Sequence, residues 1–84
     1  MENKVLVTVN VPCLENKYDV YIPVNRKVYS VIKMLSKTLY VVSQGSFNLQ
    51  KEYVLYDEVT GNMYDMNLLV RDTDIRNGSR IILL

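Results

Sequence analysis

The chain has 84 residues, a formal net charge of +1 and no histidine. That length makes one domain with a two-layer core and argues against a deep enzyme cleft. The near-neutral charge selects neither nucleic acid nor an anionic membrane. A single cysteine, Cys13, permits no internal disulfide and no zinc site, and with no histidine it lacks a base to activate it as a nucleophile. Beside Pro12 it reads as an ordinary reduced thiol. Met1-Glu2-Asn3-Lys4 leads straight into an alternating segment, so no signal peptide is expected, and the apolar runs are too short to span a bilayer. Together these features place the chain in the cytoplasm.

Lys4 to Val11 alternates, with Val5, Val7, Val9 and Val11 on one face and Leu6, Thr8 and Asn10 on the other. This is a first strand, ended by Pro12. Leu14 to Lys17 is a turn. Tyr18, Val20 and Ile22 then alternate with Asp19 and Tyr21, which makes a second strand in a hairpin with the first. Pro23 closes it, and Asn25 is a candidate N-cap for a helix.

In Val28 to Val42, the residues Val28, Val31, Ile32, Leu35, Leu39 and Val42 fall on one arc about 100° wide at helical spacing. Ser30, Lys33 and Lys37 fall opposite. This is an amphipathic helix rich in β-branched residues, which alone would be mostly unfolded, with its end expected to fray near Tyr40. Ser43 to Ser46 breaks it, with Gly45 near the C-cap. Tyr53 to Asp57 is a short strand apolar in both phases. Val59 to Asn62 is a turn, and Met63 to Met66 a brief returning strand. Leu68 and Leu69 are expected as buried loop residues or a further short strand. Asn77-Gly78 is a tight turn into a last strand, Arg80 to Leu84.

A hairpin, a crossing helix and a return to a central strand make an α+β, β-grasp arrangement. It has a mixed sheet of four to five strands, with the first and last parallel in its middle. The whole chain, residues 1–84, is one such domain.

Chemistry-bearing groups are sparse. Asp57-Glu58 and Asp72/Asp74 read as turn residues. The three glycines are isolated and form no phosphate-cradling loop. Arg26, Lys33 and Lys37 make a basic helix face, either solvated or turned to phosphates. Tyr21, Tyr29, Tyr40, Tyr53, Tyr56 and Tyr64 suit packing with a wet hydroxyl, and also suit interfaces. No catalytic, cofactor-binding or metal-binding residues are expected.

The segment Tyr18–Leu35 resembles ubiquitin's second strand and helix start. The ending Asp72–Leu84, DTDIRNGSRIILL, resembles ubiquitin's buried isoleucine, tight turn and last strand. More closely, Ile75-Arg76-Asn77-Gly78-Ser79-Arg80-Ile81-Ile82-Leu83-Leu84 resembles the ending of the YukD/EsaB family. These are small bacterial ubiquitin-like proteins encoded with the type VII (WXG100, Ess-type) secretion machinery of Gram-positive bacteria. The resemblance implies a cytosolic accessory or regulatory protein rather than an enzyme. It would dock to a membrane subunit or to the FtsK/SpoIIIE-type ATPase of that machinery. The ending Ile82-Leu83-Leu84 lacks the paired glycines of conjugated ubiquitins, so conjugation is not expected.

The period of two points Leu6, Ile82 and Leu84 away from the helix. The strand at Tyr53–Tyr56 adds either Tyr53 and Leu55 or Val54 and Tyr56. Leu6, Leu55, Ile82 and Leu84 are therefore the expected protein-interaction residues, in one contiguous apolar patch. In ubiquitin the equivalent face is the main docking surface. A loop, a terminus or a second copy of the chain would be other covers for it. Two other functions stay open: a small nucleic-acid-binding regulator using the basic helix face, and a modifier or carrier whose tail was trimmed.

Overall fold

A computed structural model describes residues 3–84; Met1 and Glu2, where the signal-peptide reading begins, lie outside the described residues. Four strands and one long helix form in the expected order: β1 (Lys4–Val11), β2 (Asn16–Pro23), α1 (Val28–Val42), β3 (Leu55–Asp57) and β4 (Arg80–Leu83). The sheet order is β2-β1-β4-β3. β1 pairs antiparallel with β2 and parallel with β4, so the first and last strands are the central pair of a mixed sheet. β3 closes the sheet antiparallel to β4.

The phase of each strand follows from its alternation. Val7, Val9, Val11, Ile22, Ile81 and Leu83 are buried with Val28, Val31, Ile32, Leu35 and Leu39 of α1. Val5 and Val20 are partly buried against them. Val42, expected in the stripe, is 53% exposed. It is the last helical residue, where the chain is already turning away from the sheet. Phe47, Tyr53, Val70 and Ile75 complete the core from the connecting segments. Phe47 and Tyr53 stack with ring centroids 4.6 Å apart, and the Tyr53 hydroxyl donates to the Asn48 carbonyl at 2.8 Å.

The helix ends differ from the sequence reading. Asn25 is not the N-cap; Lys27 takes that place and makes no side-chain cap bond. Main-chain carbonyls do the work instead. The Val28 and Tyr29 amides donate to Leu68 O (2.9 Å) and Met66 O (3.0 Å), and the Val70 amide returns to Arg26 O (2.9 Å). Leu68 and Leu69, expected as buried loop residues or a further short strand, are exposed and half-buried, and the strand alternative is reduced to one antiparallel bridge of Leu69 with Lys27; the Leu68 carbonyl, not its side chain, holds the helix start. Val70 is the buried member of that segment.

At the other end no fraying occurs at Tyr40. The Gly45 amide donates to Tyr40 O (2.8 Å) and the Gln44 amide to Val41 O (3.0 Å), the paired bonds of a Schellman closure. Gln44 takes the left-handed position at φ 55° and Gly45 follows at φ 87°.

Three further boundaries shift. The hairpin turn is a 3-10 turn at Pro12–Leu14 closed by Glu15 at φ 51°, so β2 begins at Asn16 rather than Tyr18. β3 spans only Leu55–Asp57. The returning strand at Met63–Met66 is reduced to one bridge, Tyr56 with Met63, and by Met66 the backbone has turned to the helix start, where its carbonyl accepts from the Tyr29 amide.

Candidate docking surface

The face of the sheet away from α1 carries the even-numbered residues of β1, β3 and β4 and, through the antiparallel register, Lys17, Asp19 and Tyr21 of β2. Leu6, Ile82 and Leu84 lie on it as expected: Leu6 is 38% exposed, Leu84 45%, and Ile82 half-buried. Leu55 does not. It is 0% exposed, in the core, opposite the buried Leu83. Pairing with β4 sets the phase of β3, so the half-buried Val54 and Tyr56 take the outer side. Val54 and Leu84 exchange backbone hydrogen bonds of 2.8 and 3.0 Å, which carries the pairing past the ends of both strands.

The expected contiguity also fails. Leu6 lies across from Tyr21, whereas in the parallel register Thr8 faces Arg80 and Asn10 faces Ile82. Four residues along the strand, about 13 Å at the usual rise, separate the level of Leu6 from that of Ile82. Between them runs a polar band of Asp19, Thr8, Arg80 and Glu58. Thr8 Oγ1 donates to Asp19 Oδ1 at 2.7 Å. Lys17 on the β2 edge reaches Glu58, just past β3, with Nζ and Oε2 3.7 Å apart, so the pair straddles the two central strands. The second oxygen, Glu58 Oε1, is buried without a partner among the described residues. That cost makes the pair a weak source of stability.

The outer face therefore holds two apolar patches. One is Leu6 with Tyr21. The other is Val54, Tyr56, Ile82 and Leu84, four side chains on β3, β4 and the paired residues that extend them. Residue spacing could not separate them, because the offset between β1 and β4 leaves no local trace.

The turn that sets this offset is built by Asn77 and Gly78. Gly78 is at φ 87° and its amide donates to Leu6 O at 2.8 Å; the Leu6 amide donates to Asn77 Oδ1, also at 2.8 Å. Ser79 O then accepts from the Thr8 amide at 3.0 Å. Three bonds thus dock the turn on β1 and place Ile82 where it stands.

The basic helix face divides as well. Lys33 and Lys37 line a groove between α1 and residues 49–54, whereas Arg26 lines a second groove against Lys4 and Tyr21. Among the carboxylates, Asp57 and Asp74 lie beside the Tyr64 hydroxyl. Burial first, then these two charges, hold its proton on well above the usual tyrosine range. Burial likewise raises Tyr53, with Cys13 adding to it. Cys13 is exposed. Among the described residues no three His, Cys, Asp or Glu side chains gather to hold a metal ion, and no helix is long and apolar enough to cross a membrane.

No family model matches the chain, and none of the curated proteins matches it either. Solved structures do. The N-terminal ubiquitin-like domain of the 4931431F19Rik protein superposes with a TM-score of 0.74 at 21% identity, over 98% of this chain and 74% of that one. The fold is ubiquitin-like. The EccD5 ubiquitin-like domain from Mycobacterium xenopi gives a TM-score of 0.70 at 13% identity, over 96% of this chain and 92% of that domain. A chain of the MycP5-free ESX-5 inner membrane complex gives 0.71 at 15% identity, over 98% of this chain but only 21% of its own length. At such identities the likeness is one of fold. Within this ubiquitin-like domain, the second apolar patch occupies the outer face of the central and β3-side strands.

Proposed function

We propose that this ubiquitin-like domain is a non-conjugating accessory or regulatory protein of a type VII secretion system, of the YukD/EsaB kind. It works in the cytoplasm by docking and carries out no catalysis. The observation that carries the reading is the patch of Val54, Tyr56, Ile82 and Leu84 on a ubiquitin-like sheet. Apolar side chains of this size, gathered on a flat face and rimmed by Arg80, Lys17 and Glu58, suit a protein partner. The resemblance of the Ile75–Leu84 ending to that family supports the assignment. So does the likeness to EccD5 and to a chain of the ESX-5 inner membrane complex. The partner would be a membrane subunit or the FtsK/SpoIIIE-type ATPase.

A nucleic-acid role fits less well because Arg26 is parted from Lys33 and Lys37. The test is affinity capture from detergent-solubilised host cells with the full chain as bait. Recovery of a membrane subunit or the ATPase of the secretion machinery is expected. Recovery of neither, with the bait folded, contradicts the proposal.

A further inference from the structure

A second surface lies on the helix layer and touches the sheet patch only at Val54. There α1 and residues 49–54 enclose a groove of about 580 Å³. Its floor is apolar: Ile32 and Tyr53 are both buried, and each leaves an edge in the groove. Leu49, 46% exposed on the loop, forms an apolar lip. Cations stand around this slot. Lys33 and Lys37 are one turn apart on α1, and Lys51 faces them from the loop. Tyrosine faces hold two of the ammonium groups at the rim: Lys33 Nζ is 4.9 Å from the Tyr29 ring centroid and Lys51 Nζ 5.1 Å from that of Tyr53.

Glu52 is the one carboxylate in the lining. Among the described residues none of the three lysines pairs with a carboxylate; the ion pair there is Lys17 with Glu58, elsewhere on the molecule. In a chain of net charge +1, three unpaired lysines around one apolar slot are a local excess of positive charge. An apolar floor inside a cationic rim matches one kind of ligand on both counts.

We propose that this groove binds an acidic peptide segment of a partner protein, anchored by one or two large apolar side chains between carboxylates. The anchor takes the Ile32–Tyr53 floor. Flanking carboxylates take Lys33 and Lys37 on one side and Lys51 on the other as charge-assisted contacts. A nucleic acid is the weaker match. A phosphate backbone follows a continuous cationic track, and here Arg26 opens onto a different groove.

The experiment is a titration of isotope-labelled full chain, followed by amide resonances. The probe is a synthetic peptide with a leucine–phenylalanine pair flanked on both sides by glutamates. Controls are the same peptide with glutamines and a single-stranded oligothymidylate of equal charge. The expected result is shifts at Ser36, Lys37, Leu49 and Lys51, with affinity at least about tenfold lower for the glutamine peptide and for a Lys33→Glu/Lys37→Glu variant. Leu84→Asp, on the sheet patch, is expected to bind the peptide as wild type does, which separates this inference from the proposed function. Four results overturn it: no shift at about 1 mM peptide, a concentration that detects weak binding; equal affinity for the glutamine peptide; an unchanged affinity in the double lysine variant; or tighter binding of the oligonucleotide at the same lysines.

Discussion

Gly78 stands at φ 87° with open space where a Cβ would sit, so a side chain there meets no neighbour and the cost of adding one is conformational. Gly78→Val should destabilise the domain by about 1–3 kcal/mol, the range for a non-glycine residue held in that region. A urea midpoint equal to wild type would contradict the turn. Gln44 shows the converse. It occupies the left-handed position of the Schellman closure, which glycine usually fills. Gln44→Gly is expected to raise stability by about 0.5–1 kcal/mol, and a loss in the same denaturation assay would count against it. Tyr64 provides a pH signature. Its folded pKa is raised by burial and by Asp74 and Asp57, so the folded chain keeps a proton that the unfolded chain releases. The associated stability is complete below the unfolded tyrosine value, about pH 10, and is lost as pH rises above it. Denaturation midpoints from pH 8 to 11 should therefore fall less steeply in Tyr64→Phe than in wild type. Parallel profiles would mean that Tyr64 titrates normally.

Among the elements, α1 depends most on its surroundings. It has no acidic residue in its first turn, no basic residue in its last and no side-chain N-cap, so packing and the Met66–Leu69 backbone stabilise it. Leu35 sits at the middle of the buried stripe. Leu35→Ala should cost about 2–5 kcal/mol in chemical denaturation, and a loss below about 1 kcal/mol would mean that the helix lies elsewhere. This helix and the long strands β1 and β2 were legible because period and alternation run over many residues. Asn25 misled because a capping residue type says nothing about whether distant carbonyls will reach the helix amides first. Phe47 and Val70 escaped notice for a related reason. Each is one apolar residue in an irregular segment, buried by its place in the fold and not by any repeat.

At the scale of the whole molecule, strand order and the parallel central pair followed from element order, and the ubiquitin-like comparisons agree with both. The outer face of the sheet was legible only in part. Leu6, Ile82 and Leu84 point outward because period two demands it. Leu55 was misplaced because its strand is apolar in both phases, and only pairing with β4 chooses between them. The break between Leu6 and Ile82 depends on the register of Thr8 against Arg80, a long-range fact. The proposed function stands on the patch of Val54, Tyr56, Ile82 and Leu84 acting as an interface. Its most direct test compares Leu84→Asp with Met34→Asp, an exposed position on α1, in affinity capture from host cells, with both variants checked for a wild-type unfolding curve. Leu84→Asp is expected to stay folded and to lose the proposed secretion-system partner, while Met34→Asp keeps it. A folded Leu84→Asp protein that still captures that partner at the wild-type level would mean that the patch is not the interface.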